Sequence, residues 1–253
     1  MKKLAKKILV YVLYFSGLNF LCGLFLKNKL FVLIYHSVSD EKNKVATSPE
    51  LFEKEMAYLK RKRHNFLRAS DVMTLKEKKV RKPTIIYFDD GFKDNLTNAL
   101  PILKKYDIRA TIFVTTGYMG KENKYLNWDE VLFLKKNGFE VGSHTVNHKR
   151  LAEAGLKEAE FEISESKKII ENKIGDDVCS FSFPKGSFND NIKDLVAKSG
   201  YKIAVSDGVG LNDVEDIKNS GLTVLKNVDI RNWENLIFFK VKLYSWNCVK
   251  KFL

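Results

Sequence analysis

Cysteine is scarce in this sequence of 253 residues. The three cysteines, Cys22, Cys179 and Cys248, are an odd number with no short spacing between them. Such a set provides neither a zinc ribbon nor a disulfide framework. Apolar residues (45%) and charged residues (30%) occur in the proportions of an ordinary globular protein. The length fits one large α/β domain or two small ones.

Acidic residues are outnumbered, with 31 Asp and Glu against 44 Lys and Arg, which gives a formal net charge of +13. The surplus is mostly lysine scattered along the chain. It predicts either a solvated basic surface or attraction to anionic membrane lipid or to an acidic glycan. The sequence lacks a helix-turn-helix, a zinc finger, an RNA-binding signature and an Arg-rich tract, so no nucleic-acid partner is expected.

A long apolar run from Ile8 to Leu26 follows four lysines near the N-terminus. About 20 apolar residues can cross a bilayer. No small-x-small cleavage site follows the run, which argues against a removed signal peptide. The run can be an uncleaved transmembrane anchor, a helix at the membrane surface, or a packed helix. Residues 1–30 are therefore expected to form a membrane-anchor or membrane-associated helix, with the rest of the chain extracytoplasmic or on the cytoplasmic face.

Short apolar strands alternate with helical patterns through the rest of the chain. The predicted strands are 31–35, 85–88, 110–114, 139–141, 179–183, 201–205 and 222–230. Alternation of this kind predicts parallel βαβ units. Because no glycine-rich phosphate turn is present, a (β/α) barrel is favoured over a Rossmann sheet. We expect residues 31–230 to be the catalytic domain and residues 231–253 to be a basic amphipathic helix.

Polar side chains follow several of these strands directly, and in (β/α) barrels the chemistry is found at the C-terminal ends of the strands. The residues concerned are His36, Asp89, Asp90, His144, His148 and Lys185. Their convergence at strand ends predicts one site. His64, in contrast, lies among Arg61, Lys62 and Arg63 and is predicted to be a solvated helix end.

Asp89 and Asp90 precede Gly91 at the end of the second predicted strand. Adjacent carboxylates repel each other, and a divalent metal would compensate them. The alternative is a turn in which aspartate caps a helix and glycine takes a positive φ.

His144 and His148 are four residues apart, a spacing that places both on one face of a helical turn and lets them bind one metal ion. No Glu follows His144, so this is not a metalloprotease helix. One Asp and two His leave a position open for water, and the second Asp could act as base. The alternative is a pair of surface histidines.

The ordered motifs resemble the polysaccharide deacetylase family, the NodB-like carbohydrate esterases of family 4, over roughly residues 30–245. The motifs are Tyr87–Gly91, Ala110–Val114, Gly138–His148 and Phe183–Gly186. The resemblance implies a distorted (β/α)7-type barrel. It implies Asp90, His144 and His148 as ligands of a divalent metal, with Zn²⁺ foremost and Ni²⁺, Co²⁺ or Fe²⁺ as alternatives. It also implies Asp89 as general base and a loop of Pro184, Lys185 and Gly186 whose Lys185 N–H holds the oxyanion.

Two departures from the family pattern stand out. Ser182 occupies the place of the family's usual arginine, so Arg231 or Lys226 is expected to orient Asp89 instead. No histidine follows His148. However, the segment 34–38 resembles the N-terminal motif of the exopolysaccharide-deacetylase branch, in which the order of motifs is circularly permuted. This resemblance implies His36 as general acid, and the alternative is a structural histidine.

The expected reaction is removal of N-acetyl groups from an amino sugar in a cell-surface polysaccharide or a lipid-linked glycan. Removal of an O-acetyl or a formyl group would use the same site. A non-catalytic carbohydrate-binding or scaffold protein on the same fold is the alternative of a different class.

Overall fold

The computed structural model describes residues 2–24, 26, 28–217, 220–230 and 235–249. Its strands are β1 (Lys29–Tyr35), β2 (Ser37–Val38), β3 (Ala46–Thr47), β4 (Asn65–Leu67), β5 (Pro83–Phe88), β6 (Ala110–Val114), β7 (Phe139–Ser143), β8 (Ser180–Ser182), β9 (Ile203–Val209), β10 (Asn212–Asp213) and β11 (Thr223–Asp229). Its α-helices are α1 (Lys2–Phe15), α2 (Leu18–Leu24), α3 (Pro49–Arg61), α4 (Leu75–Lys78), α5 (Leu100–Lys105), α6 (Trp128–Lys136), α7 (Leu156–Ile174), α8 (Asp190–Lys198) and α9 (Leu236–Val249).

Seven parallel strands close into a barrel in the order β1, β11, β9, β8, β7, β6 and β5, and β5 pairs back with β1. Leu33 of β1 lies opposite Val228 of β11 on one side and Ile86 of β5 on the other. The first strand therefore completes the ring. β4 pairs with β5, and β10 pairs antiparallel with β1, so neither is part of the ring. The predicted (β/α) barrel is confirmed.

The strands are apolar on both faces because the barrel is filled inside and covered by helices outside. Ile34, Tyr87, Phe113 and Val205 belong to one cluster of buried side chains, which fills the interior. Val72, in a 3₁₀ turn between β4 and α4, joins the same cluster. That turn closes the N-terminal mouth of the barrel and leaves the opposite mouth for the polar strand ends.

Gly142 shows how tightly the interior is filled. A Cβ atom at this position would lie 2.5 Å from the ring of Phe113 and 2.6 Å from the Oγ of Ser180. Only a residue without a side chain fits on β7 beside an inward-pointing Phe113.

The apolar N-terminal run forms two helices instead of one, because Gly17, with φ of +76°, separates α1 from α2. Val10 and Leu13 are buried and pack against Phe238 and Val241 of α9. In the part of the chain that the structure describes, no helix combines the length and the apolar character needed to cross a membrane.

The C-terminal segment is only partly described, because residues 231–234 and 250–253 lie outside the described ranges. The described part of the basic amphipathic helix predicted for residues 231–253 is α9, which buries apolar side chains on two sides. Phe239 and Leu243 belong to the main core, whereas Phe238 and Val241 face α1. α9 is therefore apolar on two sides because it is packed between the barrel and the N-terminal helices.

His64 is buried, with 5% of its surface exposed, so the prediction of a solvated histidine is wrong. Its Nδ1 lies 2.7 Å from Thr84 Oγ1 and its Nε2 lies 3.1 Å from Tyr244 OH. Burial, together with the nearby charge of Lys82, lowers the pKa of His64 to about 3. The imidazole is a neutral bridge between the barrel and α9.

Candidate active site

The two aspartates follow β5 in a turn of left-handed backbone. Asp90 has φ of +72° and Gly91 has φ of +76°. The N–H of Asp89 donates to the carbonyl of Tyr35 at 3.1 Å, which holds the exit of β5 against β1. A positive φ is uncommon for aspartate and concentrates at functional sites. The turn separates the two carboxylates so that they take different neighbours.

The two histidines follow β7 in an irregular loop, so the predicted helical turn is wrong. Thr145 has φ of +67° and His148 has φ of +56°. The N–H of His144 donates to the carbonyl of Val114 at 3.0 Å, and the N–H of His148 donates to Thr145 Oγ1 at 3.0 Å. These contacts fold the loop back over the mouth of the barrel, and the two imidazole centres lie 4.9 Å apart.

Glu162 of α7 fixes the shape of this loop. Its Oε2 accepts from the N–H groups of Val146 at 2.9 Å and Asn147 at 2.7 Å, and its Oε1 accepts from Asn147 Nδ2 at 2.7 Å. The carboxylate is 1% exposed, and these three donors compensate its burial. No local pattern predicted this role, because Glu162 lies within an ordinary helical pattern.

Asp90, His144 and His148 come together, and their ligand atoms all lie within 4.8 Å of one another. Asp90 Oδ1 is 3.4 Å from His148 Nε2 and 3.7 Å from His144 Nε2. Among the described residues this buried oxygen has no hydrogen-bond partner. Two imidazole nitrogens and one carboxylate oxygen are a donor set that suits Zn²⁺ and similar divalent ions. The residues present therefore fit a metal.

The protonation state of the histidines also fits a metal. His144 Nδ1 lies 2.8 Å from the carbonyl oxygen of Ser182. A carbonyl only accepts, so Nδ1 carries the proton and Nε2 presents its lone pair to Asp90 and His148. Burial lowers the pKa of His144 to about 3 and also lowers the pKa of His148. Both rings are neutral, as ligands must be.

Asp89 is 4% exposed, and its Oδ2 accepts a hydrogen bond from Ser182 Oγ at 3.1 Å. Ser182, which stands where the family has arginine, therefore itself contributes to the orientation of Asp89, a role that had been predicted for Lys226 or Arg231. Lys226 is an exposed residue of β11, and Arg231 lies outside the described residues. A short hydroxyl suffices because Ser182 ends β8 at the same mouth as Asp89. Burial and the neighbouring Asp90 charge raise the pKa of Asp89 well above its usual range.

His36 follows β1 at the same edge of the barrel. Tyr35 at the end of β1 lies opposite Phe88 at the end of β5. His36 and Asp89, the residues that follow them, are therefore neighbours at the same end of the barrel. Electrostatic interaction with His36 is one of the smaller influences, after burial, that lower the pKa values of His144 and His148. His36 thus lies within electrostatic reach of the predicted ligands.

A π-helical stretch, Asn95–Ala99, anchors the backbone around His36. The carbonyl of His36 accepts from Asn95 Nδ2 at 2.8 Å. Asp94 accepts from Ser37 Oγ at 2.5 Å and from the N–H of Val38 at 2.9 Å. Short π segments are frequent at functional sites, but no pattern in the sequence marked this one.

The predicted loop of Pro184, Lys185 and Gly186 forms a 3₁₀ turn after β8, in which Lys185 has φ of +54°. The N–H of Gly186 donates to the carbonyl of Phe183 at 2.9 Å. A Cβ atom on Gly186 would lie 2.4 Å from the Cβ of Asp207, so the turn requires glycine. The Lys185 charge contributes to lowering the pKa of His148, which locates this loop beside the site.

An aromatic wall adjoins His148 and was not predicted. The Tyr118 ring lies 6.2 Å from the His148 ring and 4.8 Å from the Tyr125 ring, and Phe92 stacks on Tyr125 at 5.3 Å. Tyr118 and Tyr125 belong to the segment after β6. The rule that chemistry follows barrel strands could have identified them.

Comparisons with known proteins agree with this geometry. The family model described as polysaccharide deacetylase matches residues 76–204, just over half of the chain. The Bacillus subtilis protein YxkH, provisionally named a polysaccharide deacetylase, is 31% identical over 181 residues, which are 70% of this chain and 64% of that protein. The chain thus spans less than two thirds of that relative.

A relative from Staphylococcus aureus is named poly-beta-1,6-N-acetyl-D-glucosamine N-deacetylase. It is 29% identical over 197 residues, which are 72% of this chain and 67% of that protein. Among solved structures, the polysaccharide deacetylase BC0361 from Bacillus cereus is 26% identical with a TM-score of 0.76. The match covers 86% of this chain and 69% of that one.

Proposed function

Because the chain belongs to the polysaccharide deacetylase family, we propose that it removes N-acetyl groups from an amino sugar within a glycan, with the help of a divalent metal ion. The observation that carries this proposal is the grouping of Asp90, His144 and His148 within 4.8 Å beside the buried carboxylate of Asp89. In a purely structural cluster the buried polar atoms would be expected to have hydrogen-bond partners. Here Asp90 Oδ1 is buried and has no such partner among the described residues.

Asp90, His144 and His148 would hold the ion, for which Zn²⁺ is our first choice and Ni²⁺, Co²⁺ or Fe²⁺ suit the same donors. When bound, a divalent ion lowers the pKa of water and polarises a carbonyl group. Three protein ligands leave a position open for small molecules, which distinguishes catalytic from structural sites.

Asp89 is proposed as the general base that takes a proton from water during attack on the acetamide carbonyl. Its raised pKa makes it a stronger proton acceptor than an ordinary aspartate. Ser182 holds its Oδ2. The other oxygen, Oδ1, has no partner among the described residues and would face the water.

His36 is proposed as the general acid that protonates the departing amine. An amine leaves poorly as an anion, so amide cleavage depends on this proton. The backbone N–H of Lys185 is proposed to donate to the oxygen of the tetrahedral intermediate. Together with Asp89, these groups would yield acetate and a free amino sugar.

The substrate class is proposed from the relatives and from the site. The Staphylococcus aureus relative is named for a polymer of β-1,6-linked N-acetylglucosamine, so a surface glycan containing this sugar is the first candidate. Tyr118 and Tyr125 would provide apolar ring surface beside the acetyl site. Action on a glycan of this kind would require the catalytic domain to lie outside the cytoplasm.

The deciding experiment measures acetate release from β-1,6-linked and β-1,4-linked N-acetylglucosamine oligomers. We expect a chelator to stop acetate release and added Zn²⁺ to restore it.

Asp89→Asn should keep its metal and lose turnover, whereas His148→Ala should lose both. Turnover in Asp89→Asn close to the wild-type rate would rule out the base. Formate release, or release of acetate only from O-acetylated oligomers, would replace the N-acetyl assignment.

His36 is tested by varying the leaving group. We expect His36→Ala to lower the rate on the N-acetyl oligomer by about 100-fold or more, because general acids contribute 10²–10⁴-fold. Hydrolysis of 4-nitrophenyl acetate, whose phenolate leaves without a proton, should change much less. Equal losses on both substrates would make His36 a structural residue.

A further inference from the structure

The outward face of the N-terminal helices is strongly apolar. The described residues include ten large apolar side chains that are exposed, and five of them lie on α1 and α2. They are Ile8 (57% exposed), Val12 (57%), Phe15 (73%), Leu18 (42%) and Leu21 (51%). The first three have the i, i+4, i+7 spacing of a single helix face. Contiguous exposed apolar patches mark interaction sites.

The opposite face of these helices is fixed to the protein. Val10 and Leu13 pack on α9, Asn19 Oδ1 accepts from Ser245 Oγ at 2.7 Å, and Lys240 Nζ donates to Tyr14 OH at 3.1 Å. The helices therefore have two apolar sides. Among the described residues one side is buried against α9, and the other is exposed and available to a binding partner.

A basic cavity adjoins this apolar face. It has a volume of about 380 Å³ and is lined by residues of α1, α2, α3 and α9 together with Lys62, which follows α3, and Lys82, which precedes β5. Its cations are Arg61, Lys62, Lys82 and Lys240. A neighbouring cavity of about 540 Å³ shares Gly23 and Lys82 with it. The second cavity adds Lys76, Lys79 and Arg81, against the single acid Glu215.

The cations of the first cavity lie against aromatic rings. In the described part of the chain, none of the four in the first cavity forms an ion pair. They lie over tyrosine rings instead: Lys240 is 5.1 Å from both the Tyr14 and Tyr58 rings, and Lys82 is 5.7 Å from the Tyr244 ring. The charges of Arg81 and Lys62, after burial, lower the pKa of Lys82. An anion would relieve this repulsion.

We propose that this face docks the protein on a bilayer rich in anionic phospholipid. Phe15, Val12 and Ile8 would enter the boundary between headgroups and acyl chains, while the cations of the two cavities meet lipid phosphates. The occupant must supply apolar surface and negative charge side by side, and an anionic bilayer does. A soluble polyanion offers no apolar surface, and a second copy of this chain would bring like charges together.

The direction of docking follows from the barrel. Lys62 and Arg81 precede β4 and β5, at the N-terminal ends of the strands, whereas Asp89 and His144 follow β5 and β7. The basic cavities and the candidate active site are therefore at opposite ends of the barrel. A docked molecule would present its site away from the lipid, toward glycan outside the bilayer.

The test is co-sedimentation of the full chain with phosphatidylglycerol vesicles and with phosphatidylcholine vesicles at about 0.1 M salt, where the Debye length is about 10 Å. We expect at least tenfold stronger binding to the anionic vesicles, falling as salt is raised. Equal or absent binding to both would overturn the proposal. Binding of soluble polyglycerol phosphate that vesicles do not displace, or a stable dimer without vesicle binding, would also overturn it.

Two double variants at exposed positions separate the contribution of the apolar side chains to vesicle binding from that of the cations. Val12→Ser with Phe15→Ser should weaken vesicle binding roughly tenfold or more by removing the inserted side chains. Lys62→Gln with Arg81→Gln should weaken it about 30-fold, since each cation near an anionic surface contributes about fivefold. Phe133→Ser with Leu156→Ser removes two large exposed side chains elsewhere (50% and 57% exposed) and should leave binding unchanged. Loss of binding in this control would count against a specific face.

Acetate release from a short soluble oligomer distinguishes this proposal from the proposed function. All six substitutions lie away from the catalytic groups, so each variant should keep the wild-type rate and melting temperature. Vesicle binding without any deacetylase activity would leave the docking surface intact while refuting the enzyme. Deacetylase activity without vesicle binding would support the proposed enzyme and refute the docking surface.

Discussion

Ser182 holds two partners of the candidate site at once. Its hydroxyl donates to Asp89 Oδ2, and its backbone carbonyl accepts from His144 Nδ1. One residue at the end of β8 therefore orients the proposed base and fixes the tautomer of a proposed metal ligand. The carbonyl is independent of the side chain, so substitutions can separate the two roles.

Ser182→Ala removes the hydroxyl and keeps the carbonyl. We expect kcat to fall about 10- to 100-fold, because a hydrogen bond to a charged group contributes ~1.5–3 kcal/mol. Metal content, measured by elemental analysis, should stay at the wild-type level because His144 keeps its partner. Ser187→Ala is the matched control, since the hydroxyl of Ser187 accepts from the N–H of Ala152, in the segment after β7, and makes no hydrogen bond to Asp89. An unchanged kcat would contradict the assigned role of the hydroxyl.

His64 predicts how stability depends on pH. Its pKa is about 3 in the folded protein because of burial, against about 6.5 in an unfolded chain. Between these values the unfolded chain binds more protons, so the unfolding free energy falls as the pH is lowered from about 6.5. In His64→Gln this contribution is absent, and urea unfolding between pH 7 and 4 should give a shallower slope, by up to about 1.4 kcal/mol per pH unit. Identical slopes would contradict a neutral buried His64.

At the scale of the element, the loop from His144 to His148 depends on a helix that follows it. Glu162 accepts three hydrogen bonds from Val146 and Asn147, and it lies on α7 well beyond the loop. The positive φ of Thr145 and His148 persists because these contacts compensate the strain. The geometry of the proposed ligands is therefore set by α7 as much as by β7.

Glu162→Gln tests this support. An amide can no longer accept from all three donors, so His148 should be held less firmly. We expect the dissociation constant for Zn²⁺ to rise about 10- to 100-fold, as is usual for residues that support metal ligands, when measured by competition with a chromophoric chelator. Glu160→Gln, exposed on the same helix, should bind Zn²⁺ like the wild type. Equal affinity in both variants would contradict the role of Glu162.

The strands of the barrel and the grouping of the site residues could be predicted from the sequence, whereas the detailed contacts of the site could not. Periodicity and strand-end position suffice for the seven parallel strands and for the convergence of Asp89, Asp90, His144 and His148. These features are local in sequence. Loop conformation, the buried state of His64 and the role of Ser182 depend on contacts between residues far apart in the chain. Such contacts leave no spacing pattern, and the serine in place of the expected arginine gave no sign that its own hydroxyl would contact Asp89.

The whole molecule depends on a barrel interior with no spare room. Gly142→Ala would bring a Cβ atom to 2.5 Å from the Phe113 ring. We expect the free energy of unfolding to fall by about 1–3 kcal/mol, the usual cost of overpacking. The double variant Gly142→Ala with Phe113→Leu should recover part of the loss, because leucine makes room.

Gly23→Ala is the control for this prediction. Its Cβ atom would meet the Tyr244 ring at an ordinary 3.6 Å, within a helix that favours alanine over glycine. Thermal melts should show no loss of stability for Gly23→Ala. If the two glycine variants melted alike, the interior would have more freedom than the distances allow.

The closure of the barrel also has a consequence for how the protein acquires activity. Among the described strands β1 is the first to be synthesised, and it pairs with β11, the last of them. Contacts between such distant segments form late, because the chain loses the entropy of a long loop before the contacts that close it contribute any stability. His36 leaves β1 beside Asp89, so the proposed acid and base meet once β1 and β5 pair. The ring around them stays open until β11 pairs with β1. A nascent chain is therefore expected to remain catalytically silent until β11 has left the ribosome.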